Sequence, residues 1–211
     1  MYRDLVFESA ECTFGRKGFE HATMQDIAGE AGISLKTLYS VFPGKRELYE
    51  EIQRVRGQAF VAHVAEALDA KATPLTRLSQ MVAAYVDFLF AHRDWFGIQL
   101  HRAVSWGIRP RLEFAASYWE EGLDTVAGIL REGQEDGVFY PGDAASTAAL
   151  VQSLLQTLVA QAVDRGPDNP AEPAEADAVA HTSAEIFLHL RRLLCPEPDA
   201  WQPVEDEAAS L

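Results

Sequence analysis

Cysteine is scarce in this chain: its 211 residues contain two, Cys12 and Cys195, and neither has a partner at CxxC spacing. A disulfide framework and a zinc knuckle are thereby excluded, a reducing compartment is the default, and both thiols read as small apolar side chains. Strand signals are missing as well, with no sustained alternation, no β-branched runs and no Asn-Gly or Asp-Gly turn between such runs. Near the N-terminus the apolar run Leu5-Val6-Phe7 ends at Glu8, too short for a signal peptide, so the expected location is the cytoplasm. Residues 144–163 carry no charge over a membrane-span length, but Ser146, Thr147, Gln152, Ser153, Gln156, Thr157 and Gln161 interrupt them. They predict a buried or interface helix and no membrane partner.

Catalytic signatures are absent too. No GxSxG, HExxH or phosphate-cradling Gly loop occurs, and the acidic clusters Glu120-Glu121, Asp124 and Glu135-Asp136 fall at polar helix positions. His181, Glu185 and His189 share one helical face, yet two turns separate the histidines, too far for one ion. The expectation is a protein that is not an enzyme and has no cofactor or metal.

Positive charge is in short supply: 18 Lys+Arg stand against 32 Asp+Glu, a net charge of −14. The deficit is uneven. Residues 1–56 hold eight basic and nine acidic side chains, a balance of −1, which leaves −13 for the remainder. With 48% hydrophobic residues the composition is that of a folded globular chain, and the pattern predicts an all-α fold.

Helix punctuation predicts about nine helices: 3–17 (stopped by Gly18), 24–31, 34–41, 45–68, 75–92, 94–106, 109 or 110–133, 143–164 and 175–195. They group into an N-terminal three-helix helix-turn-helix head over 1–50 and a larger C-terminal helical bundle over 51–196, followed by a loose acidic tail, 197–211. The Pro-rich acidic stretch 166–175 reads as an exposed loop.

In the head, Thr23 precedes a helix of barely two turns with Asp26 three residues on, the sign of a capped start. Gly32 breaks that helix and Ser34 caps the next, the spacing of a helix-turn-helix whose second helix enters the major groove. Ile27, Ala31, Ile33 and Leu38 would close a small core, leaving Leu35, Lys36, Thr37, Tyr39 and Ser40 pointing outward. Spacing alone is shared with helical hairpins that bind no nucleic acid.

The stretch Phe14, Gly18-Phe19, Thr23-Met-Gln-Asp-Ile-Ala, Ala31-Gly-Ile-Ser, Thr37-Leu-Tyr, Phe42-Pro-Gly-Lys45 and Leu48 closely resembles the DNA-binding domain of the tetracycline-repressor (TetR) family over about residues 5–50. The segment from Glu132 to Asp143 looks like that family's link into its eighth helix. The resemblance implies that Tyr39 contacts a phosphate and that Lys45 leans on the DNA backbone. Thr23 and Ser34 would stand at helix starts facing phosphates. Leu35, Lys36, Thr37 and Ser40 would reach base edges, Lys36 toward guanine acceptors. Two positions depart from the family pattern: Ser40 replaces a larger side chain, and Gly44 a capping Ser.

The C-terminal part gathers aromatics between Tyr85 and Trp119. Tyr85, Phe88, Trp95, Phe96, Trp106, Tyr118 and Trp119, with His101 among the polar neighbours, would suit a small-molecule cavity, although each singly is also ordinary core filling. Apolar pairs recur every four residues through Leu150, Leu154, Leu155 and Leu158, and Ile186 and Leu190 belong to a second stripe, so the last two helices are expected to form a dimer surface. Expected partners are double-stranded operator DNA, a second copy of the chain and an unidentified small-molecule effector. The function so implied is a repressor released from a palindromic operator by its ligand. A ligand-independent activator and a small-molecule-converting all-α enzyme are the alternatives.

Overall fold

The structure is a computed structural model that describes residues 2–103, 113–164 and 175–196, with side chains described for 2–100, 120–163 and 177–196. Among them lie nine helices and no strand: α1 (Tyr2–His21), α2 (Met24–Glu30), α3 (Leu35–Val41), α4 (Lys45–Ala67), α5 (Pro74–Ala91), α6 (Arg93–Ala103), α7 (Glu113–Glu135), α8 (Ala144–Asp164) and α9 (Glu175–Leu194). The all-α reading is correct, and its helix boundaries hold to within a few residues where the chain is described. The 166–175 stretch (save Glu175, which begins α9) and the acidic tail lie outside the described residues.

Local chemistry explains the punctuation. Gly18 breaks α1 at φ 72°, ψ 160°, a conformation side chains resist, and one further turn runs to His21. Thr23 and Asp26 form a reciprocal capping box: the Thr23 hydroxyl accepts from Asp26 N at 3.1 Å, and Asp26 accepts from Thr23 N at 3.0 Å. At the other end of α2, Gly32 adopts φ 64°. Its N–H donates to Gly29 O at 3.2 Å, and that of Ile33 donates to Ala28 O at 3.0 Å. This is a Schellman closure, and it turns the chain from α2 into α3. Gly32→Ala would place a Cβ in the left-handed region and should cost about 1–2 kcal/mol, measurable by urea denaturation.

The head core is built from Val6, Ala10 and Phe14 of α1, Ile27 and Ala28 of α2, Leu38 of α3 and Leu48 and Ile52 of α4, all buried. Phe14, Phe19 and Tyr49 form an aromatic triad with centroids 4.7–5.9 Å apart. The expected boundary at residue 50 falls inside α4, which runs from the head into the bundle without interruption.

Within the bundle, α5 is apolar on nearly all sides and is accordingly buried along its length, packed by α4, α6, α7, α8 and α9. The head meets the bundle chiefly where α1 crosses α6. That crossing is close because both helices offer glycine: a Cβ on Gly15 would lie 2.5 Å from Asp94 O, and one on Gly97 would lie 3.1 Å from Gly15 O. A buried ion pair also ties α1 to α4, Glu11 receiving Arg56 Nε at 2.6 Å and a second guanidinium nitrogen at 2.8 Å.

Candidate nucleic-acid interface and interior cavity

Two sites emerge, one on the head and one inside the bundle. On the head, α3 presents Lys36, Tyr39 and Ser40 to solvent. Ser34 caps α3 by accepting from Thr37 N at 3.0 Å, and the Ser34 and Thr37 hydroxyls bond each other at 2.8 Å. The outward set is narrower than its sequence suggests. Leu35 and Thr37 are half-buried, with Leu35 packed against the core, and the Ser40 hydroxyl is spent on Thr37 O at 2.6 Å.

Most cations of the head are already engaged. Arg3 pairs with Glu51, Arg16 with Glu30, Lys17 with Asp26, Arg46 with Glu50, Arg54 with Glu51 and Arg56 with Glu11. Lys45 has a different occupation from the DNA-backbone contact expected of it. Its ammonium donates to Phe19 O at 2.7 Å, Ala22 O at 2.9 Å and Glu20 O at 3.4 Å, and it lies 4.5 Å over the Phe19 ring. Three donors meet three carbonyls that the end of α1 leaves over, so Lys45 fastens α1 to α4. Among the described residues of the head, Lys36 is the lysine or arginine that makes no ion pair or hydrogen bond. Thr23, Tyr39 and Lys45 nevertheless border one shallow depression, shared with Met24, Gln25 and Leu35.

Asp26 holds the edge of this surface. Hydrogen bonds from Lys17, from the Thr23 hydroxyl and from the Thr23 N–H hold its carboxyl down to about 2. Since the folded value lies below the unfolded one near 4, the stabilisation is present above about pH 4 and is lost as pH falls toward 2. Helix content followed by circular dichroism should show an acid transition in that window, shallower in Asp26→Asn.

Inside the bundle, a cavity of about 340 Å³ opens between α4, α5, α7 and α8. Phe60, Val61, Val64 and Leu68 of α4, Arg77, Met81 and Tyr85 of α5, Glu121, Gly122, Thr125, Val126 and Ile129 of α7, and Gln152 of α8 line it. Among the described residues, Tyr85 alone of the aromatics expected to form a pocket lines this cavity. Phe88, Trp95 and Phe96 are buried in the core, where Phe88 and Trp95 pack behind Phe60 at centroid distances of 5.4 and 6.1 Å. Trp106 and the side chains of His101, Tyr118 and Trp119 lie outside the described residues. The walls are aliphatic stripes that sequence reading passed over. Arg77, Met81 and Tyr85 at i, i+4, i+8 on a largely apolar helix carried the available signal.

The Tyr85 hydroxyl accepts from Gln152 Nε2 at 3.0 Å at the inner end. Burial raises its pKa well above the usual phenol, so it stays protonated as a donor.

The expected dimer surface divides in two. Leu150 is 71% exposed and Leu154 and Leu158 are half-buried, one outward stripe at i, i+4, i+8 of α8. Leu155, Ile186 and Leu190 are buried in the protomer's own core and are not available to a partner. The broad apolar face of α8 is two faces: Ala148, Val151, Leu155 and Val159 point inward while the other stripe points out. Among the described residues no helix is long and apolar enough to cross a membrane.

Comparison with known proteins places this geometry. Residues 6–52 match the model of the bacterial regulatory proteins of the tetR family. The HTH-type transcriptional repressor KstR2 of Mycobacterium tuberculosis is 27% identical over 139 residues, 66% of this chain and 70% of that protein. The HTH-type transcriptional activator FasR of Mycolicibacterium smegmatis is 33% identical over 87 residues, 41% of this chain and 40% of FasR. The solved structure of the ketosteroid transcriptional regulator KstR2 of Mycobacterium tuberculosis superposes with a TM-score of 0.74 at 23% identity, covering 93% of this chain and 96% of that one. With its capped α2, Gly32 turn and exposed α3, the head over residues 6–52 is a DNA-binding domain of the tetR family of bacterial regulatory proteins, and the chain is a transcriptional regulator of the TetR type.

Proposed function

We propose that the protein is a homodimeric repressor, released from a palindromic operator when a small molecule occupies the cavity of the bundle. The observation that carries the reading is Lys36: an unpaired cation at the exposed start of α3, on a head whose other lysines and arginines are occupied by its own groups. Base-edge recognition needs such a donor, and phosphate contacts need hydroxyls such as those of Ser34 and Tyr39, with Thr23 placing the start of α2 beside them. The outward stripe Leu150, Leu154 and Leu158 supplies an apolar face for a two-fold partner, which sets two recognition helices on the two halves of an inverted repeat.

The cavity supports ligand control because α4 belongs to both sites. Leu48 and Ile52 of α4 are in the head core, and Phe60, Val61 and Val64 of the same helix form a cavity wall. A ligand that prefers the conformer with wrongly spaced heads by about 1.4 kcal/mol lowers operator binding tenfold. The repressing sign follows KstR2, whose similarity extends through most of the chain, whereas that with FasR covers 41% of it.

Lys36→Ala should weaken binding to a selected duplex by about 1–3 kcal/mol, read by fluorescence anisotropy, and affect a random duplex far less. Equal losses on both duplexes would overturn the assignment of Lys36 to base reading. Lys45→Met should lower the melting temperature of the head before it alters the salt dependence of DNA binding.

A further inference from the structure

The polar groups of the cavity are unevenly placed, and that unevenness selects a ligand. Along one face of α5 the wall presents a cation, a thioether and a phenol in order: Arg77, Met81 and Tyr85. Arg77 is 14% exposed. Its terminal nitrogens meet Glu132 of α7, one of them 3.4 Å from Oε1, but its Nε is buried and has no acceptor among the described residues. Glu132, by contrast, is 55% exposed. The cation is committed to the interior, while its partner stands in solvent that would hydrate it equally well without the pair. A guanidinium carries five donors in a planar fork shaped for a carboxylate or a sulfonate. At the far end the Tyr85 oxygen already accepts from Gln152, which leaves the phenolic hydrogen to donate.

We propose that the cavity takes an organic monoanion: a largely hydrocarbon body against Phe60, Val64, Met81 and Ile129, with its acid group on Arg77 and any carbonyl or hydroxyl oxygen it bears at Tyr85. The acid competes with Glu132 for the guanidinium, so entry of the ligand replaces an α5–α7 ion pair with a ligand–α5 pair. Glu121, exposed at the rim, is hydrated and screened, and it counts against a second negative charge on the ligand. The inference rests on the reading of this cavity as the effector site.

A matched pair of dyes tests it on the full-length protein: 1-anilinonaphthalene-8-sulfonate, an anion, and N-phenyl-1-naphthylamine, the same skeleton without the charge. Gly122→Phe, which grows a ring from the cavity wall, should remove binding of both, because a Cβ at Gly122 meets no atom within 4 Å. Arg77→Met should lower affinity for the anionic dye at least tenfold, equivalent to about 1.4 kcal/mol, and change the neutral dye less than twofold. Arg77→Lys should retain part of the preference. Glu132→Gln, which leaves the arginine in place and removes its competitor, should raise affinity for the anion several-fold with no change for the neutral dye. A merely structural ion pair would not produce that gain. If the neutral dye binds and is lost in Gly122→Phe, but the anion shows no advantage and ignores both Arg77→Met and Glu132→Gln, the monoanion proposal falls and the cavity remains a ligand site. If neither dye responds to Gly122→Phe, the effector-site reading falls with it.

Discussion

Glu11→Ala should cost the folded protein about 3 kcal/mol, lowering the melting temperature by about 6–12 °C for a chain of this size. The carboxylate is 7% exposed and takes both prongs of Arg56, at 2.6 and 2.8 Å. Removing it strands a guanidinium that also lies 5.6 Å from the Phe7 ring, where water reaches it poorly. The size of the effect comes from the uncompensated charge, not from the strength of the pair. Glu11→Leu combined with Arg56→Met should therefore recover most of the loss. Calorimetry on both variants decides the matter: a double variant as unstable as Glu11→Ala would mean that the α1–α4 contact depends on something other than this pair. DNA binding by Glu11→Ala should fall with temperature well before the bundle unfolds, because α1 loses the most buried of its polar ties to α4.

Gly122→Phe should have the largest effect on regulation. Glycine costs about 1 kcal/mol in a helix interior relative to alanine, and Gly122 lies within α7 beside open space. Filling that space with an aromatic ring removes the propensity penalty in part and buries apolar surface worth about 1.5–3 kcal/mol. The melting temperature should rise by about 4–8 °C. Operator affinity should stay within twofold of the parent, since no head residue changes, while effector-induced release should disappear. A variant that is stabilised yet still leaves DNA in response to the effector would remove the cavity from the proposed mechanism. Cells carrying it should repress constitutively, a phenotype opposite to that of Lys36→Ala.

How far the sequence spoke for the structure depended on the range of the physics involved. Gly18, Thr23, Gly32 and Ser34 act within a few residues, through a cap hydroxyl or a left-handed backbone, so helix starts and stops were readable in the order they occur. The helix-turn-helix followed from them, and the resemblance of residues 5–50 to a known domain matched what the structure holds there. Faces that depend on which helix lies opposite were not readable. Phe88, Trp95 and Phe96 looked like pocket aromatics and are core, because α5 and α6 are covered on those sides by other helices. The α8 pattern looked like one wide stripe and is two, since periodicity records that a face is apolar and not what covers it.

Lys45 illustrates the same limit at a single residue. Its place at the start of α4 is local and was legible, but the three carbonyls it satisfies come from a chain segment more than twenty residues earlier. The net charge of −14 also changes meaning once the ion pairs of the head are known. The head is nearly neutral overall, and its lysines and arginines are mostly consumed by its own groups, so non-specific attraction to DNA should be modest and binding should depend on a specific site.

Selection of duplexes from a random pool by the full-length protein, followed by sequencing, tests the central claim most directly. The proposed function predicts enrichment of an inverted repeat whose half-sites face the same side of the duplex, retained by the parent protein and lost when Lys36 is replaced by alanine. A pool that returns unenriched at low salt, or an enriched site that Lys36→Ala binds as tightly as the parent, would contradict the account.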